Sequence, residues 1–136
     1  MANGFRFAYR LSGGAPTIQD IVFKDTETIT KGDLVNIESG QADLAATNDA
    51  AIAGVALETV AGTTGVTRIR VITDADAVYA VDDANARLIG ATLDITGATG
   101  AQTVTTSSNA DVIVVAESSA TEPTLVKITA TNHVFD

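Results

Sequence analysis

The spacing of apolar and polar residues predicts a chain of short β-strands. Ile21-Val22-Phe23, Thr28-Ile29-Thr30, Leu34-Val35-Asn36-Ile37, Ile52 to Leu57, Val66 to Ile72, Ala77 to Val81, Asp111 to Ala116 and Leu125 to Thr129 are aliphatic or β-branched runs separated by turn residues. Lys31-Gly32-Asp33 reads as a tight turn, and Ser39-Gly40 closes the strand before it. Gly54 lies inside an apolar run, where glycine marks a bulge or a close backbone approach. Near-alternation in Val66–Ile72 puts Arg68 and Arg70 on one side. Gly62-Thr63-Thr64-Gly65 and Gly97-Ala98-Thr99-Gly100 both read as hairpin loops. One helix is predicted: Asp82-Asp83 would cap Ala84 to Ile89, and Gly90 would stop it. The fold class is therefore all-β, a compact sandwich or barrel of short strands with one short accessory helix and an extended N-terminal arm.

The arm comes from a different pattern. Phe5, Phe7 and Tyr9 alternate with Arg6, Ala8 and Arg10, so a strand here would carry aromatics on one face and arginines on the other. Ser12-Gly13-Gly14-Ala15-Pro16 follows and has the composition of a linker. This divides the chain into an arm and linker over residues 1–17 and a single β domain over residues 18–136. The arm has two readings. It is either a first strand paired with the body, its rings facing the core, or a segment that docks on a partner through aromatic anchors and arginine hydrogen bonds. The docking reading predicts that removing Met1–Ser12 leaves the body folded. Phe5, Arg6, Phe7, Tyr9 and Arg10 are its candidate residues for binding a partner or a neighbouring subunit.

Composition narrows the core. With 136 residues and 46% hydrophobic content the chain has enough apolar material for one domain. Aromatics make up only 4% and tryptophan is absent, so Val, Ile, Leu and Ala must fill most of the interior. Cysteine is absent, which removes disulfides and thiolate metal sites and suits synthesis in a reducing cytoplasm. No apolar run reaches membrane-span length, and Met1–Arg10 lacks the apolar stretch of a secretory signal.

Charge excludes one class of partner. The formal net charge is −9. The first 19 residues hold two arginines and no acid, leaving 17 acids and 6 bases in the rest. Such a surface repels a phosphate backbone, so nucleic acid is not an expected partner; lacking a span-length apolar run, the chain is not expected to meet a membrane either.

Candidate chemistry is sparse. The single histidine, His133, lies near the chain end and reads as an exposed tail residue. Asp74, Asp76, Asp82 and Asp83 lack the spacing of a calcium loop and read as turn and cap residues around Ala77–Val81. The glycine-rich loops lack the Lys-Ser/Thr of a phosphate loop. The sequence thus predicts no catalytic residues, no metal site and no cofactor.

One longer pattern remains. Lys31-Gly32-Asp33-Leu34-Val35, an Ala/Asp-rich link, Ile52-Ala53-Gly54-Val55-Ala56, then Gly65 and the strand Val66–Ile72 follow in order. Ala86-Arg87-Leu88-Ile89-Gly90-Ala91-Thr92-Leu93-Asp94-Ile95 and the strands Val112–Ala116 and Leu125–Thr129 continue it. This layout resembles the capsid decoration, or cement, proteins of tailed bacteriophages over roughly residues 18–135. The resemblance implies a compact β fold, commonly a homotrimer, on the outer surface of the virion's capsid. There it would bridge major capsid protein subunits and stabilise the head. It carries over no catalytic residue and gives no role to the loop Gln41–Ala51. The alternative is a carbohydrate- or receptor-binding β module of a phage fibre or surface protein, which needs exposed aromatic rings for stacking.

Overall fold

A computed structural model describes residues 4–24, 27–47, 49–61, 68–106 and 108–135. Every regular element among them is a strand. In chain order these are β1 (Phe5–Arg10), β2 (Ile18–Val22), β3 (Thr28–Ile29), β4 (Leu34–Glu38), β5 (Gln41–Leu44), β6 (Ile52–Val55) and β7 (Val60–Ala61). They continue as β8 (Arg68–Ile72), β9 (Ala77–Val81), β10 (Thr92–Thr96), β11 (Thr103–Thr106), β12 (Val112–Ala116) and β13 (Thr124–Ile128). The largest sheet has the order β1-β9-β13-β12-β10-β11 and is antiparallel throughout. A three-stranded sheet, β5-β4-β6, and two ribbons, β2-β8 and β3-β7, complete the sandwich-like architecture.

Two hydrophobic cores result, with β4 and β6 shared between them. Leu34, Ile52 and Val55 face the core of the large sheet, while Val35, Ala53 and Ala56 face a smaller one holding Phe23, Ile29, Ile69 and Val71. Because strand side chains alternate faces, a strand buried on both sides must be apolar without interruption. That is why Ile52–Val55 is buried at every position. The interior is largely aliphatic as composition requires, with Phe5, Phe23 and Tyr79 as its large rings.

Gly54 makes both features expected of it. The β4–β6 register shifts where Val35 pairs Gly54 and Asn36 pairs Ile52. A β-carbon on Gly54, at φ +154°, would lie 1.7 Å from the Ile72 carbonyl oxygen. No side chain fits there. The β10–β11 hairpin uses the Gly97–Gly100 loop as anticipated, whereas Gly62–Gly65, with Val66 and Thr67, falls outside the described residues. Ser39 and Gly40, at φ 52° and 76°, form the two-residue connection of a β4–β5 hairpin. Read as an Ala/Asp-rich link, Gln41–Leu44 is thus a strand; its small residues gave little alternation to detect.

Two further expectations fail. No helix forms over Ala84–Ile89. The Asp83 carboxylate accepts from Arg87 Nε at 2.6 Å and Asn85 Nδ2 at 3.2 Å, not from backbone N–H groups as a cap would. Arg87 and Ser118 exchange two backbone hydrogen bonds, so a cross-chain bridge takes the groups a helix needs. Leu88 and Ile89 are left exposed at 69% and 68%. His133 is not an exposed tail residue: it is 5% exposed, and its segment pairs with β6 through Ile52 N–H to Asn132 O and Val134 N–H to Ile52 O. The N–H of Phe135 donates to His133 Nδ1 at 3.0 Å.

Candidate binding surface around the first strand

The five residues singled out in the sequence all lie on β1, and the structure gives them different roles. β1 is the edge strand of the large sheet and pairs antiparallel with β9, Phe5 opposite Val81 and Phe7 opposite Tyr79. Phe5 is 1% exposed and belongs to the main core. The segment is therefore an integral strand of the body, not an arm separate from it. Burying such a ring stabilises the fold by roughly 1.5–3 kcal/mol, a gain that a free arm would forgo.

A bulge decides what the rest of the strand displays. Ala8 is extra relative to β9, so Tyr9 pairs with Val78 where strict alternation would bring Ala77. Exposure rises along the aromatic row, from buried Phe5 through half-buried Phe7 to Tyr9 at 42%. Of the aromatic face expected from the sequence, Phe5 lies in the core and half-buried Phe7 packs against it, while Tyr9 is exposed.

The arginines turn inward to the body's acids. Arg6 Nη2 lies 3.0 Å from Asp82 Oδ1, and Arg10 Nε lies 3.0 Å from Asp76 and 3.6 Å from Asp74. Asp76 also accepts from the backbone N–H and hydroxyl of Ser12, and Asp74 accepts from Thr17 N–H at 2.6 Å. Both ends of the Ser12–Pro16 segment are thereby fastened to the turn before β9. Hydrogen bonds from Ser12, aided by Arg10, hold the Asp76 carboxyl well below its ordinary range, at about 2. Asp74, Asp76, Asp82 and Asp83 each bind an arginine; Asp74 and Asp76 sit at the turn before β9 as expected, whereas Asp82 and Asp83 cap no helix.

Beside β1 runs a cleft of about 390 Å³ that sequence reasoning did not find. Phe5, Arg6 and Phe7 form one wall, and Val55, Ala56 and Leu57 the other, with Lys31 and Gly32 between. Phe5 N–H donates to Gly32 O at 2.7 Å and Gly32 N–H to Ala56 O at 3.0 Å, tying the turn to both walls. Lys31-Gly32-Asp33 was legible as a turn, but nothing in its spacing showed which strand it would touch. Asp33 fixes the turn from beneath: buried, it accepts from Thr30 N–H, the Thr99 hydroxyl and Gly100 N–H.

Neither protein-family models nor curated proteins give a match to this chain. Among solved structures, the N base of the head fibre gp8.5 of bacteriophage phi29 is similar in fold, with a TM-score of 0.53 and 17% identity. The similarity covers 85% of this chain and 98% of that one, so it extends across the sandwich and not merely one hairpin. The chain thus shares its architecture with the base of a phage head fibre.

Proposed function

We propose that this chain is a structural virion protein that binds the outside of a tailed-phage capsid, bridging major capsid protein subunits and stabilising the head. It acts by adhesion, without catalysis or cofactor, and as an oligomer of its own, with a trimer the form the family resemblance favours. The observation that carries this reading is the fold shared with the phi29 head-fibre base across 85% of the chain. The acidic composition supports an exterior position, since a net charge of −9 is unsuited to packaged DNA. Oligomerisation lets a modest patch per copy suffice, because later contacts become effectively intramolecular. The exposed parts of β1, Arg6 and Tyr9 foremost, are the contact residues this reading favours; Phe7 and Arg10 contribute at their edges.

The test is co-sedimentation of purified chain with heads of the encoding phage prepared without it. Saturable pelleting with heads, absent when heads are omitted, is expected; chain that stays in the supernatant at every head concentration counts against the proposal. Carbohydrate binding finds less support. Exposed Tyr9 and Phe135 lie on β1 and at the C-terminal end, and the ring paired with Phe135 is His133, 6.1 Å away.

A further inference from the structure

We propose that the cleft beside β1 docks an extended acidic segment of a partner protein, with an aliphatic side chain seated between Phe7 and Leu57 and a carboxylate paired to Lys31. This goes beyond the virion reading and does not depend on it. Half-buried Phe7 and Leu57 line the cleft above buried Phe5, Val55 and Ala56, and its base is fixed by the Phe5–Gly32 and Gly32–Ala56 hydrogen bonds. The site is therefore formed before anything enters it, which limits the ordering cost of binding.

Charge selects the occupant. The chain has 17 acids and 8 bases, yet the described residues lining this cleft include two bases, Arg6 and Lys31, and no acid. Lys31 is exposed and makes no salt bridge among the described residues, while its backbone N–H is held by the Thr59 hydroxyl at 3.0 Å. Arg6 is paired to Asp82, but its side chain is 44% exposed, and an exposed pair of this kind yields readily to a competing carboxylate. An apolar slot rimmed by cations, on a protein otherwise dominated by acid, is complementary to alternating acidic and aliphatic residues. β1 being a sheet edge, an extended segment can also lie along it.

The test uses the full chain, isotope-labelled for amide NMR, and two blocked hexapeptides, one alternating aspartate with leucine and one alternating lysine with leucine. The acidic peptide should shift the amides of Phe5, Arg6, Phe7, Gly32 and Leu57, and the basic peptide should not. Lys31→Glu should keep the dispersed spectrum and weaken the acidic peptide at least about tenfold. Equal responses to both peptides, shifts confined to another surface, or no shift at all would overturn the proposal. Sedimentation of the chain alone supplies the remaining arm. Self-association abolished by Lys31→Glu would put a second copy in the cleft and overturn the assignment to a separate partner; sedimentation unchanged by the substitution supports it.

Discussion

Gly54 and Asp76 show how single residues hold this fold, and both lead to measurements. Gly54 sits where two backbones nearly touch, so adding one methyl group forces β6 away from Ile72. Gly54→Ala should cost about 2–4 kcal/mol, within the range of backbone and overpacking defects, read as a lower urea midpoint at unchanged slope. A midpoint within error of the parent would mean the strands are not so close. Asp76 acts through charge. Its folded-state pKa of about 2 lies below its ordinary 3.8, so its contribution is fully present above about pH 4 and is lost as pH falls through about 2. Asp76→Asn should therefore unfold more easily than the parent at neutral pH, and the difference should shrink as acid is added over that window. A difference constant from pH 7 to pH 2 would show that Ser12 and Arg10 do not favour the ionised form.

At the scale of elements, β1 is where sequence and structure part company most usefully. Alternation correctly marked Phe5–Arg10 as extended, and turn chemistry correctly marked its end. Neither could identify the partner strand, β9, some seventy residues later. Sheet neighbours are chosen by the packing of the whole chain, and Phe5 is sealed by Gly32, which belongs to yet another segment. Ala77–Val81 was legible because burial on both faces leaves little but apolar composition open to it, and Val112–Ala116 because its unbroken aliphatic, β-branched run favours a strand even with one face half-buried. β5 and the Ala84–Ile89 loop were misread for the converse reason: small residues and acids carry little period, and an aspartate that could cap a helix here holds an arginine. The integral position of β1 has a consequence for stability. Phe5→Ala should cost about 3–5 kcal/mol by calorimetry, and deleting residues 1–11 should abolish the cooperative transition. A truncated chain melting within a few degrees of the parent would restore the arm as a separate piece.

Across the whole molecule, the charge asymmetry read from the sequence is redistributed by folding. The two N-terminal arginines meet Asp82, Asp76 and Asp74, and Asp33, Asp83, Asp94 and Asp111 are buried. Asp94 accepts from the backbone N–H groups of Ser108 and Asn109, and Asp111 from that of Ile95. Part of the acid thus stitches loops together, and the remainder makes the exterior anionic. Of the bases, Arg6 and Lys31 line the cleft beside β1, with no acid among its described lining residues. The role proposed above asks such a sandwich to hold its shape on a capsid shell. The most direct test of that role is a reconstruction by electron cryomicroscopy of heads from the encoding phage, prepared without the chain and then incubated with an excess of it. Added density is expected on the outer surface, at repeated positions over junctions between major capsid subunits and of a volume fitting this sandwich. Heads whose outer surface is unchanged after incubation would contradict it.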